Sequence, residues 1–256
     1  MEKEISVIIP ACNEAQSIER NILALDEFLG RNYGSHEIIV AEDGSTDGTD
    51  RILGELSSRN ANIMHLHSDR KLGKGRAISM AFLSSCGRKV LLIDADFPVG
   101  LECIPRMTEL LESNDLVLGS RFAKGSSAER SLKRAFISVS YNSFVRLLFR
   151  TGVRDHQCGV KAMRSSLKGA VLGMTESGFF WDTELIVRAR QRNCRLSEMP
   201  VAWRERDGGT SKISVLREAF RMGRSALALW YRINFARPDQ DLLLSMRTAP
   251  IRPRNA

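Results

Sequence analysis

Two carboxylates one residue apart, Asp94 and Asp96, follow the apolar run KVLLI in the segment Asp94-Ala95-Asp96. At the end of a buried strand such a pair can hold Mg2+ or Mn2+ while the cation's other positions take diphosphate oxygens. The chemistry would be stabilisation of charge on a departing nucleoside diphosphate. Taken alone, the pair also fits a solvated strand end. A second acidic cluster, Glu42-Asp43-Gly44-Ser45-Thr46-Asp47-Gly48-Thr49, follows HEIIVA. Its glycines permit a tight turn, Thr46 or Asp47 can cap the next helix, and Asp43 can accept from a base N–H or a ribose hydroxyl. Pro10-Ala11-Cys12-Asn13-Glu14 follows ISVII, where the proline ends a strand and Asn13 caps a helix. Lys71-Leu72-Gly73-Lys74-Gly75-Arg76 is a flexible basic loop able to approach phosphates. Neither GxxxxGK[ST] nor GxGxxG follows any of these runs, which weakens P-loop and dinucleotide-binding readings.

Each of these loops comes after a short, apolar, β-branched run: residues 5–10, 36–42, 62–67 and 89–94, with a fifth run at 115–120. Helical stretches at Glu14–Arg31, Thr49–Asn60, Gly75–Cys86 and Leu101–Ser113 separate them. The alternation predicts an α/β fold with a Rossmann-like, mostly parallel sheet covered by helices on both faces. In such sheets ligands bind beyond the carboxyl ends of the strands, where the four loops lie. After residue 121 the pattern changes to longer helices at about 128–150, 181–193 and 212–233, with a strand at 195–202. The proline-bearing segment 236–256 reads as a loose tail. A single domain over 1–235 follows, its pattern changing between 1–120 and 121–235.

Charge is divided in the same way. Residues 1–120 hold 12 Lys+Arg against 19 Asp+Glu, a net of −7, and residues 121–256 hold 26 against 11, a net of +15. An acidic half suits a cation, and a basic half suits phosphate, nucleic acid or an anionic membrane. Five cysteines without CxxC spacing argue against a disulfide framework and a zinc site, and fit a reducing cytoplasm. The charged start, MEKEISVIIP, is unlike a signal peptide, and no run reaches the length of a spanning helix.

The ordered set P-A-C-N-E (10–14), E-D-G-S-T-D (42–47), G-K-G-R-A (73–77), D-A-D (94–96), G-S-R-F (119–122), D-H-Q-C-G-V-K (155–161), W-D-T-E (181–184) and V-A-W-R-E-R-D-G-G-T-S-K (201–212) resembles the family 2 glycosyltransferases of GT-A fold. The resemblance is to their dolichyl-phosphate glucose and mannose synthase branch. It implies an inverting enzyme that moves a hexose from a nucleotide-sugar to dolichyl or polyprenyl phosphate, with Mg2+ or Mn2+ as cofactor. Pro10, Ala11, Asn13, Glu14, Asp43, Ser45, Lys74, Asp94, Ala95 and Asp96 would line the nucleotide-sugar site, with Asp94 and Asp96 on the metal. Asp155 and Asp96 would be catalytic. Arg121, Gln157, Lys161, Trp181, Asp182, Glu184, Arg204 and Lys212 would face the acceptor and its phosphate. Three positions depart from the family pattern: Cys12 for the usual tyrosine, Glu42 for an aspartate and Val160 for a phenylalanine. The Gln157-Cys158-Gly159 form, Trp181-Asp182-Thr183-Glu184, and the lack of a Gln soon after Asp96 favour UDP-glucose over GDP-mannose.

Arginines at 217, 221, 224 and 232 share one helical face while Leu216, Phe220, Leu227, Trp230 and Tyr231 favour another. Arg130, Lys133, Arg134, Arg146 and Arg150 flank an uncharged stretch with Phe136, Ile137, Val139 and Tyr141. Such helices suit an anionic membrane surface, here the cytoplasmic face, though both can instead pack on the domain with their arginines in water. Peripheral binding of this kind involves the surface itself, a homo-oligomer or a membrane-anchored partner. A non-lipid acceptor is the alternative within the family. Specific nucleic-acid binding is disfavoured, because Asp43, Asp94 and Asp96 repel phosphate unless a metal intervenes.

Overall fold

The computed structural model describes residues 2–129, 132–204 and 215–235. Every expected apolar run in the first half forms a strand: β1 (Lys3–Ala11), β2 (His36–Glu42), β3 (Ile63–Leu66), β4 (Gly87–Leu92) and β5 (Leu116–Ser120). Between them lie α1 (Ile18–Asn32), α2 (Thr49–Arg59), α3 (Lys74–Ser84) and α4 (Cys103–Leu110). The second half adds β6 (Ser127–Glu129), α5 (Leu132–Phe149), β7 (Lys161–Arg164), a short 3-10 turn, α6 (Lys168–Leu172), α7 (Trp181–Gln191), β8 (Leu196–Pro200), β9 (Ala202–Arg204) and α8 (Val215–Phe235).

Seven strands form one sheet in the order β3-β2-β1-β4-β7-β5-β8. Neighbours are parallel except at β7, which runs antiparallel to both β4 and β5. Val7 sits opposite Ile38 on one side and Leu91 on the other, and Ala162 continues the row between Leu91 and Val117. Pleating sends Ile5, Val7 and Ile9 to one core, against Ile18, Ile22, Leu25 and Leu29 of α1. Ile8 points to the other core, against Ile78, Ala81 and Phe82 of α3 and Leu185 and Ile186 of α7. Helices therefore cover both faces, which is why the central strands read as continuous apolar runs.

Three expectations are corrected. β7 is an unforeseen antiparallel member of the sheet. The strand expected at 195–202 splits into β8 and β9, and β9 pairs with β6 in a separate two-stranded sheet. The helix expected from Glu14 begins at Ile18, and Asn13 adopts a left-handed φ of 59° in the preceding loop instead of capping it. Segments 205–214 and 236–256, including Lys212 and the expected tail, lie outside the described residues.

α5 and α8 pack together through Tyr141, Val145, Met222, Ala226 and Leu229, with Phe180 and Val187 beneath them. Phe220 and Tyr231, expected on the apolar face of α8, point outward at 71% and 61% exposure. Phe136 and Leu147 of α5 do the same at 74% and 81%. Among the described residues, no helix is long and apolar enough to cross a membrane.

Candidate active site

The crevice lies beyond the carboxyl ends of the paired strands β1 and β4, where the strand order reverses, the switch point of an open α/β sheet. The loops after β1 and β2 wall one side and are tied to each other. The backbone N–H of Asn13 donates to Ser45 Oγ at 2.9 Å, and Asn13 Oδ1 accepts from the Thr46 N–H at 2.8 Å. Glu14 donates its N–H to Thr49 Oγ1 at 2.9 Å, and Ala15 donates to Asp47 at 3.1 Å. These bonds over-determine the unusual Asn13 backbone, which is how a strained residue persists.

Asp43 is buried, and its carboxylate accepts from the backbone N–H groups of Leu72 and Gly73, at 2.6 and 3.0 Å. It thus fastens the β3–α3 loop that carries Lys74. Gly44 has φ 66°, and a Cβ there would lie 2.7 Å from the backbone nitrogen of Lys71, so the two loops meet only because this position has no side chain. At position 73 a Cβ would fall 2.3 Å from the Ser177 carbonyl, bringing the segment before α7 against the same loop.

Lys74 reaches the acidic pair, with its ammonium 2.6 Å from Asp94 Oδ1 and 5.5 Å from the Phe179 ring centroid. Burial alone would lower the Lys74 pKa, but Asp94 and then Asp182 outweigh it and raise the value. Asp96 shifts upward for a different reason: partial burial first, then the charge of Asp94, with Glu14 adding to it. Glu14, Asp94 and Asp96 thus crowd negative charge at one mouth. A divalent cation held by Asp94 and Asp96 would relieve that crowding, so the residues fit the expected metal. Asp94 also lies directly over Gly159, where a Cβ would come within 1.9 Å of Oδ2.

On the acceptor side, Asp155 is fully buried, and Arg121 grips both of its oxygens. Burial would raise the Asp155 pKa, but Arg121 reverses the shift and holds it below the usual carboxylate range. Arg121 also lies 5.9 Å from the Trp203 ring centroid. Gln157 donates to Thr183 Oγ1 at 3.0 Å, and Thr183 shares a 2.8 Å hydrogen bond with Tyr141, linking the site to α5 and α7. Arg204 is exposed on β9, and its backbone N–H donates to the Pro98 carbonyl, two residues beyond Asp96.

Three residues expected at the acceptor phosphate are used elsewhere. Lys161 is buried, pairs with Asp182 at 2.7 Å and donates to the Cys158 carbonyl. Trp181 is buried under α3, its indole N–H on Ser79 at 2.7 Å. Glu184 is buried, accepts from the Thr175 and Glu176 backbone and pairs with Arg188 at 2.8 Å. Their polar groups are satisfied inside the protein, so they brace the site without lining it. Phe179 and the contact of Gly159 with Asp94 were not foreseen from the sequence, and Thr183, quoted only within its motif, had no role assigned. Phe179 and Thr183 flank the singled-out Trp181-Asp182 pair, and Gly159 lies within the segment 155–161.

The description "Glycosyl transferase family 2" matches residues 6–168 of this chain. The chain is 35% identical over 237 residues to the glycosyltransferase AglD of Haloferax volcanii, covering 90% of this chain but only 37% of that protein. A dolichyl-phosphate beta-glucosyltransferase, ALG5A, of Trichomonas vaginalis is 30% identical over 223 residues, covering 82% of this chain and 68% of the relative. Among solved structures, mannosyl-3-phosphoglycerate synthase from Rubrobacter xylanophilus superposes with a TM-score of 0.65 at 17% identity, over 93% of this chain and 77% of that one. Glucosyl-3-phosphoglycerate synthase from Mycobacterium tuberculosis, in complex with UDP, gives 0.63 at 19% identity, over 93% and 82%. With the ordered loops converging on one crevice, this chain belongs to glycosyl transferase family 2, on the branch of its dolichyl-phosphate beta-glucosyltransferase relatives.

Proposed function

We propose that the chain transfers glucose from UDP-glucose, with inversion, to a polyprenyl phosphate such as dolichyl phosphate at the cytoplasmic face of a membrane. The observation that carries this reading is the charge arrangement at the crevice. Asp94 and Asp96 stand beside Lys74, while the fully buried carboxylate of Asp155 is locked by Arg121. A bound Mg2+ or Mn2+ on the acidic pair supplies charge stabilisation for the leaving diphosphate. Lys74 supplies a second positive charge on the same side. A phosphate monoester, with a second pKa of about 6, is already an anionic nucleophile near pH 7. No carboxylate with a pKa tuned near neutrality is then needed, which fits the lowered pKa of Asp155.

Asp155 is therefore a positioning residue. It orients Arg121 and, through the Gln157 N–H at 3.2 Å, the loop that carries Gly159 beneath Asp94. The relatives named as dolichyl-phosphate beta-glucosyltransferases support glucose and a lipid phosphate. The exposed Phe136, Leu147, Phe220 and Tyr231, with Arg146, Arg221, Arg224 and Arg232 on the same two helices, support contact with an anionic lipid surface.

The test is transfer of radiolabelled sugar into lipid extract. The purified chain is incubated with Mg2+ or Mn2+, polyprenyl phosphate in anionic vesicles, and UDP-glucose or GDP-mannose in parallel. A metal-dependent lipid product from UDP-glucose alone is expected. Product from GDP-mannose alone overturns the sugar. Donor hydrolysis without a lipid product overturns the acceptor.

A further inference from the structure

Behind the nucleotide loop lies a group of metal-ligating side chains that the transfer reaction does not use. His65 is paired opposite Val40 in the β2–β3 ladder. Glu42, two residues beyond Val40, ends β2, and His67, two beyond His65, directly follows β3, and the three side chains meet on one side of the ladder. The first turn of α2 covers that face with Asp50. One potential ligand atom from each of Glu42, Asp50, His65 and His67 lies within 4.8 Å of all the others. His67 Nδ1 is 2.6 Å from Glu42 Oε2 and 3.1 Å from Asp50 Oδ1, and His65 Nε2 is 3.8 Å from Asp50 Oδ1.

We propose that Glu42, Asp50, His65 and His67 form a second divalent-cation site, separate from Asp94 and Asp96 and suited to Zn2+. Two imidazoles with two carboxylates match the ligand preference of Zn2+, in contrast to the all-oxygen shells of Mg2+. Bonds of about 2.0–2.1 Å around a tetrahedral centre place ligand atoms about 3.4 Å apart, so the widest pair closes by at most about 1.4 Å while His67 Nδ1 and Glu42 Oε2 open from 2.6 Å. Outer-shell support is already present. His67 Nε2 lies 3.1 Å from Asp69 Oδ1, the carboxylate–histidine contact that leaves Nδ1 to face a metal. Glu42 Oε1 accepts the Ser45 N–H while Oε2 faces the cluster. A small cavity lined by Glu42, His67 and Ser68 adjoins the group. No cysteine is involved, so the earlier argument against zinc from cysteine spacing does not reach this site.

A cation here would clamp the start of α2 to the ends of β2 and β3. Through Glu42, Ser45 and Asn13 it would also stiffen the loop that walls the nucleotide crevice. Chelator-stripped full-length protein is titrated with Zn2+ against a chromophoric chelator, as wild type and as three variants. Asp94→Asn/Asp96→Asn is expected to keep one tight Zn2+ equivalent. Asp50→Asn/His67→Gln is expected to weaken it at least about 100-fold, and Asp69→Asn, at a fully exposed side chain, by about 10-fold. Co2+ in the same site should give a visible absorption band that Asp50→Asn/His67→Gln removes. Unchanged affinity in both Asp50→Asn/His67→Gln and Asp69→Asn overturns the proposal, as does loss of all Zn2+ binding in folded Asp94→Asn/Asp96→Asn. If circular dichroism shows that Asp50→Asn/His67→Gln does not fold, Asp69→Asn alone decides.

Discussion

Arg121 holds Asp155 in a fork, with Nε 2.8 Å from Oδ2 and Nη2 2.9 Å from Oδ1, and adds its own backbone N–H to Oδ2 at 3.0 Å. Because the pair is buried, removing one partner strands the other charge. Asp155→Ala should cost about 3–5 kcal/mol of stability, measured by denaturant unfolding, whereas Arg121→Met/Asp155→Leu should recover most of that loss. Transfer activity should stay low in both. If Asp155→Asn keeps wild-type stability yet loses the rate together with a pH-dependent limb that wild type shows, Asp155 acts as a base and the positioning role is wrong.

Asp96 stands at the crevice mouth and has no packing duty comparable to that of Asp155. Asp96→Ala should therefore leave the thermal midpoint near wild type while abolishing metal-dependent transfer. Mn2+ titration of activity is the check, and retained activity would sink the metal assignment.

Much of this arrangement was legible in the sequence because the first half obeys simple patterning. ISVIIP, HEIIVAE and KVLLID are apolar runs that end in polar loops, and the rule for open α/β sheets then locates the crevice. β7 escaped because Lys161-Ala162-Met163-Arg164 carries cations at both ends and is only four residues long. Its buried Lys161 makes sense only once Asp182 arrives from α7. The acidic and aromatic residues of Trp181–Glu184 read as acceptor contacts for the same reason: sequence shows residue type, whereas burial is decided by the α3–α7 packing. Asn13 was read as a cap because its left-handed backbone depends on Ser45 and Thr46, 32 and 33 residues away.

Gly159 is a steric prediction. An added methyl would fall 1.9 Å from Asp94 Oδ2, so Gly159→Ala must push the carboxylate aside. A displacement of about 1 Å at a reacting centre costs on the order of 100-fold in rate. The fall should appear in kcat with a weaker apparent metal affinity, while the circular dichroism spectrum stays native. An unchanged kcat would show that Asp94 moves without consequence.

Trp181 separates bracing from binding. Trp181→Phe keeps the ring but removes the N–H that donates to Ser79, leaving a buried hydroxyl short of a partner. A loss of about 1–3 kcal/mol in unfolding free energy is expected, with the acceptor KM little changed. A raised acceptor KM at unchanged stability would restore Trp181 to the acceptor site.

His156 gives a pH prediction. It is fully buried, with Nε2 2.8 Å from Thr151 Oγ1 and Nδ1 2.9 Å from Asn142 Oδ1. Burial lowers its pKa to about 4, outweighing the opposing pull of Asp155. The unfolded chain then binds a proton near pH 6.5 that the folded chain refuses until about pH 4. Stability from this group is whole above the unfolded value and is lost as the pH falls through that window, by up to about 1.4 kcal/mol per pH unit. Denaturant unfolding at several pH values between 4 and 7 should show that slope in wild type, and His156→Gln should flatten it by close to one proton. Equal slopes in the two proteins would mean that His156 is protonated in the fold and that its two hydrogen bonds hold an imidazolium.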